Sequence, residues 1–242
     1  MATITLPSPD SKQPATRRSP GLMVIYGSPK CGKTTAISQL AGCLDIDLED
    51  GADFLEMLKV KCNSYAELVE LSKAVREANY PYKYIAIDTV TRLEEWAEVE
   101  AARKYKASPI GKNFTGNSVL DLPNGGGYYH LRNAFVEAVQ LCRRLAPHTI
   151  FVCHLKDKML GGADAKSGTT VSAKDLELTG KCKQILCSIA DAIGYIYRTA
   201  DNSGNSTLNI SFKSSEMVNC GSRCEHLRGV DMALQWNKIF VD

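Results

Sequence analysis

The chain has 242 residues, of which 44% are hydrophobic and 23% are charged, and these are ordinary values for a soluble globular protein. This length is sufficient for one large domain with a full core, or for two small ones. The formal net charge of +2 excludes a global field that would attract nucleic acid, so any nucleic-acid site must be a local patch.

The remaining composition indicates the compartment and the domain limits. The 9 cysteines are scattered and several lie in apolar runs, which predicts reduced thiols in a cytoplasmic protein. No apolar stretch approaches the roughly 18 residues of a membrane span, so no membrane partner is expected. Residues 1–20 are rich in Pro, Ser and Thr and are predicted to be a flexible lead-in to a single domain over residues 21–242.

The first motif in the chain is G-S-P-K-C-G-K-T at residues 27–34, which fits the pattern of a phosphate-binding loop. An apolar run typical of a buried strand precedes it, and residues 34–40 can begin a helix, so a chance match is disfavoured. Lys33 is expected to reach the β- and γ-phosphates, and the Thr34 hydroxyl to hold Mg²⁺. The motif therefore predicts ATP and Mg²⁺ as cofactors, with the nucleotide bound by Gly27, Ser28, Pro29, Lys30, Cys31, Gly32, Lys33, Thr34 and Thr35.

Strands and helices alternate after this loop. Apolar runs predict strands over residues 84–88 and 149–153, and alternating apolar and acidic residues predict a short strand over residues 44–49. Helical periodicity predicts helices over residues 64–78, 91–106 and 129–146. Residues 192–199 and 207–213 are predicted to form an antiparallel hairpin. The alternation predicts an α/β fold with a mostly parallel central sheet flanked by helices, followed by that C-terminal hairpin.

Two long segments, residues 107–127 and 156–180, have no periodicity and are predicted to be mobile. A structureless loop of about 20 residues is uncommon in a compact domain and usually functional. Both segments carry side chains that suit the phosphates and bases of a single strand: Lys106, Lys112 and Phe114 in the first, and Lys156, Lys158 and Lys166 in the second. The alternative is that these lysines belong to an ordinary solvated surface.

Three candidate catalytic or metal-binding residues lie at strand ends. Asp88 ends the strand over 84–88 and is a candidate Mg²⁺ ligand, unless it only ends the strand or caps the next helix. The acidic candidates for a general base are Asp45, Asp47, Glu49 and Asp50. Glu49, which ends the strand over 44–49, is preferred, whereas Asp45 and Asp47 share a face and Asp45 could simply face solvent on an edge strand. His154 follows the strand over 149–153, where it would sense the γ-phosphate or be merely structural.

In this order and spacing, G-S-P-K-C-G-K-T-T, I-D-L-E, I-A-I-D-T-V and T-I-F-V-C-H-L-K resemble the ATPase core of RecA-type recombinases. The chain looks most like the small phage-type single-strand annealing recombinases, over roughly residues 21–215. The resemblance implies a P-loop NTPase of RecA-like type in which Glu49 activates water. It also implies that His154, where the family usually has Gln, senses the nucleotide, and that the two long segments are DNA-binding loops. Lys213 would reach the ATP of a neighbouring subunit.

The function implied by the resemblance is an ATP-dependent recombinase that binds single-stranded DNA and promotes annealing or strand exchange. It would hydrolyse ATP slowly as an isolated protomer and faster with DNA. The implied partners are single-stranded DNA, further copies of the chain in a filament or ring, and a single-strand-binding protein, in the host cytoplasm if the origin is a phage. The alternatives are a RecA-core motor, helicase or loader and, less favoured because no arginine-bearing lid is apparent, a small-molecule kinase.

Overall fold

The computed structural model describes residues 6–160, 171–200 and 204–242. The strands are β1 (Leu22–Gly27), β2 (Cys43–Asp47), β3 (Lys59–Lys61), β4 (Tyr84–Asp88), β5 (His148–Leu160), β6 (Val171–Leu176), β7 (Ala192–Ala200), β8 (Ser206–Ser211), β9 (Gly221–Ser222) and β10 (Asp231–Ala233). The helices are α1 (Lys33–Ser38), α2 (Tyr65–Glu77), α3 (Val90–Ala107), α4 (Gly127–Arg143), α5 (Gly180–Ile189) and α6 (Trp236–Ile239).

The main path of the sheet runs in the order β10-β8-β7-β1-β5-β4-β2-β3, with β1 in the interior. Strand β1 is parallel to both β5 and β7, and the parallel pairing continues through β4 and β2 to β3. Strand β8 is antiparallel to β7 and to β10. The predicted α/β fold is therefore confirmed, with a mostly parallel central sheet flanked by helices and a C-terminal antiparallel hairpin.

Both faces of the sheet are covered, which explains why its central strands are continuous apolar runs. Along β1, Leu22, Val24 and Tyr26 join the core beneath α2, α3, α4 and α5. The alternate residues Met23 and Ile25 join a second core beneath α1 and α6. All five of these side chains are 0% exposed, so β1 is held rigidly where it ends in the phosphate loop.

The prediction that residues 156–180 lack regular structure is wrong at both ends of the segment. Strand β5 continues to Leu160 and pairs antiparallel with β6. In this register Lys156 lies opposite Asp175, and Asp157 lies opposite Lys174, so opposite charges face each other across the hairpin. Lys166 lies outside the described residues.

Residues 108–126, between α3 and α4, contain turns, bends and two short 3₁₀ helices, at Val119–Asp121 and Pro123–Gly125. Within the described ranges, none of the helices is both long and apolar enough to cross a membrane.

Candidate active site

A pocket of about 570 Å³ opens where β1, β2 and β4 end and β5 passes beside them. In a parallel sheet, ligands bind at this edge because the carboxyl ends of several strands converge there. The pocket is lined by nine of the residues predicted from the sequence: Pro29, Lys30, Gly32, Lys33, Thr34, Thr35, Glu49, Asp88 and His154. Gly27, Ser28 and Cys31 belong to the same loop but do not line the pocket.

The two glycines of the loop are required by its backbone. A Cβ at Gly27 would lie 2.5 Å from the carbonyl oxygen of Ile196, which no real side chain could occupy. Gly32 has a φ of +109°, a left-handed conformation that side chains disfavour. The spacing of the motif therefore follows from the geometry of the loop.

Lys33 is the first residue of α1 and its side chain is only 6% exposed. Its Nζ donates hydrogen bonds to the carbonyl oxygens of Gly27 at 2.9 Å and Ser28 at 3.0 Å. An ammonium group has three donors, so one remains for a further acceptor. This arrangement fits a phosphate group and holds the loop closed around the lysine.

Asp88 and Thr34 form the oxygen pair predicted for Mg²⁺. The Thr34 hydroxyl donates to Asp88 Oδ2 at 2.7 Å, and Asp88 is 6% exposed. Burial raises the pKa of Asp88, whereas the Thr34 hydrogen bond and the Lys33 charge act in the opposite direction. A carboxylate and a hydroxyl oxygen at a phosphate site are the donor types that Mg²⁺ prefers, so these residues fit the ion.

Glu49 and His154 are brought into direct contact. Glu49 Oε2 and His154 Nε2 are 3.0 Å apart, and the Thr89 hydroxyl donates to Glu49 Oε1 at 2.7 Å. The hydrogen bond from His154 lowers the pKa of Glu49 and raises the pKa of His154. Nδ1 of His154 is buried without a partner among the described residues, so a second proton on the ring would meet no acceptor there. Both oxygens of the candidate base are thus oriented by neighbouring side chains.

Two residues position this site in a role that the sequence analysis did not assign: Asp47, which it considered only as an alternative base, and Thr89, which it did not consider. Asp47 is 4% exposed, and its carboxylate accepts the backbone N–H groups of Glu49, Gly51 and Ala52. It thereby fixes the turn that carries Glu49. The segment D-x-E-D-G could have indicated this turn, because Asp side chains commonly accept the N–H groups that follow them. Thr89 gave no comparable signal, since its contact with Glu49 joins the residue after β4 to the turn after β2.

The predicted DNA-binding residues lie outside the pocket. Lys106 Nζ lies 5.8 Å from the Phe114 ring centre, and Lys112 is exposed nearby in the sequence. Lys156 lies on β5 and lines a groove with Glu94, Glu95, Glu98 and Glu177, so its surroundings are acidic. Lys158 lies on β5, but its side chain is not described, and Lys166 is outside the described residues.

Lys213, the predicted trans-acting residue, follows β8 and does not line the pocket of its own chain. It lines a separate groove of about 300 Å³ with Tyr195 and Tyr197, whose rings are stacked at 5.5 Å. Asp231 also lines this groove and accepts the Tyr197 hydroxyl at 2.6 Å.

The protein family described as an AAA domain matches residues 20–224, which is most of the chain. The chain belongs to this family. The match agrees with the phosphate loop and the pocket, so the protein is a P-loop ATPase domain. No curated protein sequence matches the chain.

Two solved structures have related folds. The RadB recombinase has 12% identity and a TM-score of 0.46, with 92% of this chain and 90% of that chain covered. A KaiC-like protein from the hyperthermophilic archaeon Pyrococcus horikoshii OT3 has 12% identity and a TM-score of 0.47, with 91% and 88% covered. At these values neither likeness says what this chain does.

Proposed function

We propose that this AAA-domain protein is an ATP-dependent recombinase of RecA type that binds single-stranded DNA and promotes annealing or strand exchange, as the phage-type annealing recombinases do. The specific part of this proposal rests on the sequence segments that resemble those recombinases. The geometry supports it through a chain of contacts that leads from the candidate general base to a lysine-bearing hairpin.

Each step of ATP hydrolysis has a candidate residue in the pocket. Lys33, Thr34 and the loop amides would hold the triphosphate, and Asp88 with Thr34 would hold Mg²⁺. Bound Mg·ATP supplies the phosphoanhydride that water cleaves. Glu49 would accept the proton of that water, because its carboxylate is kept ionised and is aimed by Thr89 and His154.

The observation that carries the proposal is the position of His154 between the pocket and the β5–β6 hairpin. Its ring contacts Glu49, and its backbone carbonyl accepts the Glu177 N–H at 3.0 Å. The next pair in the register, Leu155 with Leu176, begins the hairpin. A change at Glu49 on nucleotide binding or hydrolysis would therefore be transmitted directly to the base of this hairpin.

Single-stranded DNA would bind the lysines and aromatic rings of residues 105–129 together with the hairpin. Phe114 packs edge-on against Tyr105 at 5.4 Å, beneath Lys106. Tyr128 and Tyr129 are 50% and 58% exposed and thus available to stack on bases. The lysines would neutralise phosphates, and the rings would hold bases without reading their sequence.

ATP would lie between subunits of a filament or ring, since each protomer would then complete the site of its neighbour. Lys213 is the candidate for this trans role because it is exposed and remote from its own pocket. A single-strand-binding protein is a further proposed partner. Assembly would change the affinity for DNA when ATP binds, and hydrolysis would reset it.

The decisive test combines an ATPase assay with an annealing assay. Single-stranded DNA should raise the ATPase rate, and complementary oligonucleotides should anneal faster with ATP and the protein. An unchanged rate with DNA would contradict the recombinase and motor functions and favour a kinase. Duplex unwinding without annealing would indicate a helicase instead.

The variant E49Q should bind ATP, hydrolyse it at least about 100-fold more slowly and remain assembled on DNA, because the amide cannot accept the proton. The matched control is D50N, which removes the adjacent carboxylate that pairs with Lys61 and should leave turnover intact. Full turnover by E49Q would place the general base elsewhere.

A further inference from the structure

Strand β7 pairs with β1 beside the phosphate loop, and its residues Ile196 and Arg198 do not line the pocket. The Ile196 carbonyl occupies the space of a Cβ at Gly27, as described above. Arg198, two residues further along β7, occupies the corresponding space at Gly32, with its Nη2 atom 2.8 Å from the position of a Cβ. Gly27 therefore lies against the backbone of β7, and Gly32 lies against the guanidinium group of an arginine on the same strand.

Arg198 also makes a directed contact with this loop. Its Nε donates to the Cys31 carbonyl oxygen at 2.7 Å, and its Nη1 donates to Ser206 Oγ of β8 at 3.3 Å. Among the described residues, Arg198 forms no ion pair with a carboxylate. A guanidinium group is always charged and has five donors, so it is well suited to hold a carbonyl in one direction.

The Cys31 carbonyl shares a planar trans peptide unit with the Gly32 N–H, and in such a unit the C=O and N–H bonds point in opposite directions. Fixing the carbonyl outward therefore fixes the Gly32 N–H inward. Gly32 lines the pocket, and its N–H has no acceptor within the part of the chain that the structure describes. An unpaired amide directed into a pocket is a ready donor for an anion.

We infer that Arg198 is a positioning residue for phosphate binding, which aims the Gly32 N–H into the pocket by holding the Cys31 carbonyl outward. This inference rests on the proposed nucleotide site and deepens it. It makes the β7–β8 hairpin, through Arg198 and Ser206, a structural part of the phosphate loop.

The test compares R198A with R228A. Arg228 is a matched control because it is also exposed and donates to a backbone carbonyl, that of Arg223, at 3.0 Å. Calorimetry measures the affinity of each variant for ADP and for inorganic tripolyphosphate, which has no nucleoside. The comparison shows whether the substitution affects the binding of the phosphates or that of the nucleoside. We expect R198A to lose about tenfold in affinity for both ligands, which is about 1.4 kcal/mol, and R228A to lose none.

A second readout separates positioning from a general effect on stability. In ¹⁵N–¹H spectra of uniformly labelled protein, the Gly32 amide should shift on addition of ADP, and this shift should shrink in R198A while the thermal midpoint changes little. R198K, which keeps the charge but loses the planar fork, should lie between R198A and the natural protein.

Unchanged affinity for both ligands in R198A would overturn the inference. A loss for ADP without a loss for tripolyphosphate would also overturn it, because Arg198 would then act on the nucleoside. If R198A is too unstable to measure, an R198K variant with full affinity for both ligands contradicts the role. Natural protein that binds neither ligand contradicts the nucleotide site itself, which is a separate failure.

Discussion

The chemistry of this pocket depends on a few side chains whose protonation is set by their neighbours. The hydrogen bond from His154 lowers the pKa of Glu49, and partial burial opposes it. The same bond raises the pKa of His154 above its ordinary value of 6.5. Both shifts favour the form of the pair with an imidazolium and a carboxylate, and in this form Glu49 is a weaker base than when His154 is neutral.

The rate of ATP hydrolysis should consequently rise with pH through the raised pKa of His154. Loss of the imidazolium proton increases the basicity of Glu49, and the rise should approach about tenfold per pH unit below that pKa. The variant H154Q, which keeps a hydrogen-bond donor but cannot titrate, should flatten the profile. A pH–rate profile of kcat for both proteins checks this, and parallel profiles would exclude His154 as the titrating group.

Several of these residues could be assigned to the site from the sequence because they lie at the ends of predicted strands. Asp88, Glu49 and His154 each end or follow a predicted strand, so the parallel sheet could be expected to bring them to one edge. Their detailed partners could not be predicted. The Thr89–Glu49 hydrogen bond spans 40 positions in sequence, and the sequence pattern contains no information on which hydroxyl would reach which oxygen.

At the scale of single elements, β2 contains a conflict between burial and charge. Asp45 is 0% exposed, and neither of its oxygens has a partner within the described residues. Burial, followed by the charges of Asp88 and Asp47, raises the pKa of Asp45 to about 8, and Lys59 only partly opposes this. Lys59 lies in register on β3, but its ammonium donates to the carbonyls of Ala52 and Leu55.

The variant D45N should stabilise the protein at neutral pH. An acid whose pKa is raised on folding must take up a proton above its ordinary pKa of 3.8, so its cost to folding grows as pH rises towards about 8. The expected gain is on the order of 2 kcal/mol at pH 7. Urea unfolding of both proteins between pH 6 and 8.5 should show the difference widening with pH.

The matched control for this experiment is D47N, on the same face of the same strand. Asp47 accepts three backbone N–H groups, so its amide variant should lose about 2 kcal/mol of stability. Equal stability of D45N and the natural protein across this pH range would mean that Asp45 is ionised or hydrated in the folded state.

Helices and strands could be predicted where their sequence has a clear hydrophobic pattern, and were missed where it has none. Strand β4 begins and ends at the predicted residues, because Y-I-A-I-D is apolar up to its carboxylate. Strand β3 was missed because K-V-K has three residues and one apolar side chain. The β5–β6 hairpin was missed because its pairing joins distant polar segments, and no local periodicity marks such a contact.

At the scale of the whole molecule, the charge is balanced, so affinity for DNA must come from local clusters. A double variant in which Lys106 and Lys112 are replaced by Gln should bind single-stranded oligonucleotides more weakly. The slope of the logarithm of the binding constant against the logarithm of the salt concentration should fall in magnitude by about 1.4, because each of the two lost phosphate contacts contributes about 0.7. Titrations at several salt concentrations measure this slope.

A double variant of Lys73 and Lys238 to Gln is the matched control, since both lysines are exposed and lie outside the proposed DNA surface. It changes the net charge equally and should leave the slope unchanged. If both double variants change the slope by the same amount, the lysines contribute only through net charge, and residues 107–127 are not a DNA site.

The central claim is that the loop of residues 27–34 grips a polyphosphate through its amides and Lys33. Calorimetry with Mg·ATP tests it most directly, on the natural protein, on K33A and on the control K73A, whose lysine is exposed on α2 and does not line the pocket. The account predicts one site per chain in the natural protein and in K73A, and no measurable heat from K33A. A flat trace from folded natural protein, or undiminished binding by K33A, would contradict it.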